Sequence, residues 1–152
     1  MSIRVLFICH GNICRSPMAE FIFKDIVEKR GIADDFVIES AATSNEEIGN
    51  PVYPPARAEL AKHGIGCAGH HARRIRTGDY YDYDYLIAME SYNIRNMGYV
   101  FPKDDPDGKI CRLLDYTDAP GDIDDPWYTG NFKLTYDEIV VGLEAFLKHL
   151  GY

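Results

Sequence analysis

The chain of 152 residues is 46% hydrophobic and 26% charged, which argues against disorder and allows one domain, residues 1–152, whose core needs no metal or disulfide staple. Its formal net charge of −8 argues against nonspecific nucleic-acid binding, although a local cluster of donors can still hold a small anionic ligand. No stretch approaches the roughly 18 apolar residues that a membrane span requires.

Ile3-Arg4-Val5-Leu6-Phe7-Ile8 is a short, nearly continuous apolar run, as in a strand covered on both faces. Pro17 suits the first turn of a helix, in which Met18, Phe21, Ile22, Asp25, Ile26 and Lys29 divide into apolar and polar faces until Gly31. Phe36 to Ala41 predicts a second strand, and Pro54 to His63 a helix opened by proline and closed by Gly64. The tyrosine-rich tract "YYDYDY", residues 80 to 85, predicts a solvated turn. Just before it, Arg73, Arg74 and Arg76 predict a solvated basic patch able to steer acidic phosphopeptides. Tyr85 to Met89 predicts a third strand, Glu90 to Met97 a helix, and Ile110 to Leu114 a shorter fourth strand. Asp115 to Lys133 is a long irregular stretch of the kind that often carries function. Leu134 to Leu150 predicts a closing helix. Strands alternating with helices predict a doubly wound α/β domain with a parallel sheet.

The beginning of the chain lacks a signal-peptide cleavage pattern, and the four cysteines (Cys9, Cys14, Cys67, Cys111) lack zinc-site spacing. A cytoplasmic protein with free thiols is the expectation.

The segment Cys9 to Ser16 joins the first strand to the first helix, where open α/β sheets bind ligands. A helix N-terminus favours an anion, Gly11 permits a bend, and Asn12 tolerates left-handed geometry. A loop curled this way turns its N–H groups inward as a nest for phosphate-like oxygens, and Arg15 adds a two-pronged cation. Cys9 then lies at the bottom of the cup. Free cysteine is only a few per cent thiolate at neutral pH, and a helix dipole alone supplies about 0.3–2 kcal/mol. Several N–H donors, the Ser16 hydroxyl and Arg15 must act together to favour the anion. A cysteine closing an apolar strand is otherwise an ordinary small hydrophobe. The C-x5-R pair alone is weak, whereas C-x-G-N-x-C-R-S-P at a strand-to-helix junction is specific.

"CHGNICRSP" resembles the phosphate-binding loop of the low-molecular-weight protein tyrosine phosphatases, and "DDPWYTG" is similar to their acid loop. The resemblance covers essentially the whole chain, including "VIESAATSNEEIG" and the closing helix. It implies a flavodoxin-like, four-stranded parallel sheet with helices on both faces. It also implies hydrolysis of phosphotyrosine in proteins or peptides through a phosphocysteine, without cofactor or metal. Inorganic phosphate is then product and inhibitor, and a monomer is expected. Cys9 takes the role of nucleophile and Arg15 that of phosphate ligand, with His10, Gly11, Asn12, Ile13, Cys14 and Ser16 completing the loop. Ser40 and His70 are expected to hydrogen-bond towards Asn12 and support the loop's shape.

The tract "PGDIDDPWYTG" offers Asp122, Asp124 and Asp125 as proton donors to a leaving oxygen. The resemblance places the general acid immediately before Pro126, at Asp125. Trp127 and Tyr128 are either walls for a substrate ring or anchors of their own loop. The family often has an aromatic near Glu46, and this departure implies an open or charged wall. Cys14 is either packed beneath the loop or a disulfide partner for Cys9.

Other chemistries occur on the same fold. Arsenate reductases use additional cysteines after the third strand, and residues 80 to 99 contain none. Protein-arginine phosphatases carry threonine where this chain has Ile13. A catalytically inactive phosphotyrosine-binding module is a third alternative, opposed by the intact set Cys9, Arg15 and Asp125.

Overall fold

The computed structural model describes residues 2–152. At its centre is a four-stranded sheet in the order β2-β1-β3-β4, formed by β1 (Ile3–Cys9), β2 (Phe36–Ala42), β3 (Tyr85–Ala88) and β4 (Ile110–Arg112). All three pairings are parallel, as expected for strands joined by helical crossovers. The crossovers include α1 (Arg15–Lys29), α2 (Pro54–Lys62), α3 (Asp79–Asp82) and α4 (Ser91–Met97), and the chain closes with α5 (Pro126–Thr129) and α6 (Phe132–His149).

The apolar run of β1 feeds two cores because successive side chains point to opposite faces. Val5, Phe7 and Cys9 join Met18, Phe23 and Phe146 on one face, whereas Leu6 and Ile8 join Tyr80, Leu86 and Met97 on the other. The chain leaves β1 towards β2 and β3 towards β4, so the winding reverses between β1 and β3. A crevice beyond the carboxyl ends of those strands follows from that reversal.

The fourth strand is shorter than its apolar pattern implies. Leu113 and Leu114 leave it for a 3-10 turn, Leu113–Tyr116, begun where Asp115 accepts from the Arg112 backbone N–H at 2.9 Å. Leu113 is fully buried and lies so close to α6 that a Cβ at Gly142 would come within 2.5 Å of it. The stretch between Asp115 and Lys133 is also less irregular than expected, since it contains α5 and the start of α6.

"YYDYDY" is not a solvated turn. Tyr80 in α3 and Tyr83, which follows the helix in extended conformation, are buried, whereas Tyr81 is exposed. The Tyr80 hydroxyl donates to Asp105 at 2.6 Å, and the Tyr83 hydroxyl donates to Glu39. Of the basic patch, Arg74 and Arg76 are exposed as expected, whereas Arg73 forms a two-pronged pair with buried Asp79 at 2.9 and 3.2 Å. Among the described residues, no helix is long and apolar enough to cross a membrane.

Candidate active site

Between Cys9 at the end of β1 and Arg15 at the start of α1, the loop turns at Asn12, whose φ of 59° is left-handed. The chain bends at Gly11 without positive φ, and the left-handed geometry falls on Asn12, as expected for an asparagine. Asn12 is fully buried and its polar atoms are matched. Its amide group donates to Ser16 Oγ at 2.8 Å and Ser40 Oγ at 2.9 Å, while Oδ1 accepts from the Arg73 N–H at 3.2 Å. His70 Nε2 donates to the Asn12 carbonyl at 2.8 Å. The hydrogen bonds expected from Ser40 and His70 are therefore present, and they repay a left-handed residue that is otherwise unfavourable.

These contacts orient groups on Cys9. The Asn12 N–H donates to Cys9 Sγ at 3.3 Å, and Ser16 Oγ lies 3.0 Å from the same sulfur. Because Ser16 accepts from Asn12, its own proton is left for the sulfur or for the Ala41 carbonyl at 3.4 Å. Ser40 can accept from Asn12 because its own hydroxyl donates to buried Glu20 at 2.6 Å. The order of donors and acceptors thus runs from a carboxylate on α1 to the Cys9 sulfur.

Arg15 is 1% exposed, which makes its partners decisive. Its guanidinium donates to the Ile123 carbonyl at 2.9 Å, and lies 3.1 Å from Glu90 Oε2 and 3.3 Å from Asp125 Oδ2. Burial opposes the positive charge, but Cys9, Glu90 and Asp125 outweigh it and raise Arg15 above even its usual range. Asp125 caps α5, its Oδ1 accepting from the Trp127 N–H at 3.0 Å, and Pro126 occupies the first helical position. Asp122 points elsewhere. Although partial burial opposes ionisation, hydrogen bonds from Ser91 and Arg112 hold its carboxyl below the usual range.

Cys9, Arg15 and Asp125 line one open cleft of about 200 Å³. Ile13 and Cys14 line it too, as do Trp127, Tyr128, His10, Glu46 and Glu47. Trp127 is half-exposed and packs on Tyr53 with ring centres 4.7 Å apart, so it is both wall and anchor; Tyr128, 85% exposed, is a free edge. The wall near Glu46 is charged, as the departure from an aromatic implied. Burial first, then Cys9 and Asp125, push the Cys14 thiol far above the ordinary range.

Three contributors carry no signal in the motif itself. Glu90 follows the apolar run of β3, and its place beyond a strand's carboxyl end is the one clue to its pairing with Arg15. Glu20 stands one helical turn after Ser16, and Tyr53 sits just before α2, where its N–H donates to the Ile13 carbonyl at 2.8 Å.

The family model described as low molecular weight phosphotyrosine protein phosphatase matches residues 4–152. The chain is 40% identical to the low molecular weight protein-tyrosine-phosphatase YfkJ of Bacillus subtilis (strain 168), over 95% of this chain and 94% of that protein. The crystal structure of YfkJ is similar with a TM-score of 0.94, covering 99% of this chain and 96% of the other at 38% identity. The low molecular weight phosphotyrosine protein phosphatase of Homo sapiens is 36% identical, over 95% and 93% of the two chains. The crystal structure of a Drosophila arginine phosphatase is similar with a TM-score of 0.87, 33% identity and 99% coverage of both chains.

Proposed function

Since the chain belongs to the low molecular weight phosphotyrosine protein phosphatase family, we propose that its single domain hydrolyses phosphotyrosine in proteins through a phosphocysteine on Cys9. The observation that carries this reading is the convergence of Cys9, buried Arg15 and Asp125 on one cleft. In the first step the Cys9 thiolate attacks phosphorus, the bond to the phenolic oxygen breaks, and protonated Asp125 delivers its proton to that oxygen. Tyrosine leaves as the neutral phenol, and the phosphoryl group remains on sulfur. In the second step Asp125 takes a proton from water as the water attacks phosphorus. The sulfur–phosphorus bond breaks, releasing inorganic phosphate and the Cys9 thiolate.

Arg15 meets two of the phosphoryl oxygens, and the loop N–H groups meet the charge that spreads over them in the transition state. Ser16 steadies the sulfur as leaving group in the second step. Ile13 presents an apolar branched side chain and no hydroxyl, which suits a flat aryl group better than a guanidinium. Phosphate release from p-nitrophenyl phosphate and a phosphotyrosine peptide tests the reading, with mass-spectrometric detection of phosphorylated Cys9 after acid quench. Loss of turnover in Cys9→Ser is expected. Turnover retained in that variant would overturn the mechanism, and faster release from phosphoarginine than from phosphotyrosine would overturn the substrate.

A further inference from the structure

Two of the side chains lining the cleft, those of His10 and Glu46, form a pair that has no part in the chemistry above. His10 Nε2 donates to Glu46 Oε2 at 2.6 Å, linking the catalytic loop to the segment after β2. Two backbone bonds run beside it: the Thr43 N–H donates to the Cys9 carbonyl at 2.9 Å, and the Ser44 N–H to the His10 carbonyl at 3.1 Å. The segment is thereby held against the loop, with Glu46 and Glu47 both lining the cleft. Glu47 lies over Gly11, where its Cγ is 3.4 Å from the position of a Cβ. Its carboxylate accepts from the neutral amide of Asn50 at 2.5 Å and so keeps its charge.

The cations nearby do not offset this wall. Arg15 is 1% exposed and already faces Glu90 and Asp125. Arg74 donates to the Thr43 carbonyl at 3.2 Å and does not line the cleft, and Arg73 is spent on Asp79. A neutral His10 gives Glu46 one proton to share and leaves its negative charge; a protonated one still leaves Glu47. A phosphotyrosine that fills the cup must bring its neighbouring residues past this anionic rim.

We infer that Glu46 and Glu47 select phosphotyrosine flanked by lysine or arginine and disfavour acidic neighbours, a specificity that rests on the hydrolase reading above. For two partly exposed carboxylates within a Debye length of a flanking side chain, a cation and an anion at that position differ by about tenfold in kcat/KM at low salt. Most of that difference disappears at about 0.5 M salt, where screening extends over only a few ångströms.

The test uses three phosphotyrosine peptides that differ only in their flanking residues: lysine, alanine or glutamate. With the wild type at low salt, kcat/KM is expected to fall in that order, by about tenfold from first to last, and to converge at high salt. The Glu46→Gln, Glu47→Gln double variant is expected to compress the range below about threefold. Equal kcat/KM for the three peptides, or faster turnover with glutamate, overturns the inference even when p-nitrophenyl phosphate is hydrolysed normally. A preference that persists unchanged at high salt or in the double variant overturns the assignment to these carboxylates. Failure of the wild type on p-nitrophenyl phosphate and all peptides instead overturns the hydrolase reading itself.

Discussion

Arg15 Nη2 lies 3.3 Å from Asp125 Oδ2, so the cation proposed to hold the phosphoryl group and the carboxylate proposed as proton donor are in direct contact. A phosphoryl group that engages the guanidinium must compete with that carboxylate. Asp125→Ala is therefore expected to bind inorganic phosphate at least as tightly as the wild type while losing turnover. The loss should be on the order of 10²- to 10⁴-fold for phosphotyrosine and much smaller for leaving groups of low pKa. Inhibition constants for phosphate and a series of aryl phosphates check both halves; weaker phosphate binding would contradict the competition.

Trp127 is braced by Tyr53 rather than standing alone. Trp127→Ala is expected to lower kcat/KM for phosphotyrosine peptides by about 1 kcal/mol, or roughly fivefold, and Tyr53→Ala by a smaller factor. Small alkyl phosphates, which have no ring to stack, should be nearly indifferent to both. Equal losses on aryl and alkyl substrates would assign these residues to the loop's stability instead.

Cys14 begins the turn into α1, and burial followed by the nearby Cys9 and Asp125 keeps it a neutral thiol at ordinary pH. Peroxide is expected to convert Cys9 to the sulfenic acid, which Cys14 then attacks, expelling hydroxide and forming a Cys9–Cys14 disulfide. Because the attacking form is the thiolate, the closure should quicken as pH rises. Cys14→Ser should retain activity but fail to recover with reductant after peroxide. Equal recovery of the two proteins would exclude the disulfide.

Burial, with the hydrogen bond to Glu39, lifts Tyr83 from its ordinary 10.0 to about 12, and burial lifts Cys111 from 9.0 to about 11. Both fold-favoured forms are protonated, so the unfolded chain loses these protons first as pH rises. Their stabilisation is complete below about pH 9 and declines between about 9 and 12. Urea midpoints measured from pH 7.5 to 11 should fall on the alkaline side, less steeply in Tyr83→Phe. A flat alkaline profile would disprove the coupling.

The loop motif and the alternation of strands and helices were legible because both are local: a nucleophile, an arginine and a proline within nine positions, and apolar runs of strand length. What escaped was set by distance along the chain. Glu90 reaches Arg15 across 75 residues, and no local pattern marks a glutamate after a strand as the partner of a buried guanidinium. Tyr80 and Tyr83 read as polar turn residues because the acidic residues between them dominate the composition, while burial depends on how α3 and the residue that follows it pack in the core. Ile110 to Leu114 read as one strand because the capping by Asp115 that ends it is a matter of side-chain geometry.

The cup around Cys9 is fastened to Ser40, Tyr53, His70 and Arg73, and its arginine to Glu90 and Ile123. The environment of Cys9 draws on segments spread over most of the chain. Such long-range closure comes late in folding, because each distant contact must first overcome the entropy of the loop it closes. A partly unfolded chain therefore carries Cys9 without the hydrogen bonds from Asn12 and Ser16. The constellation proposed for catalysis is thus acquired only with the finished topology, so that a partly unfolded molecule lacks it altogether.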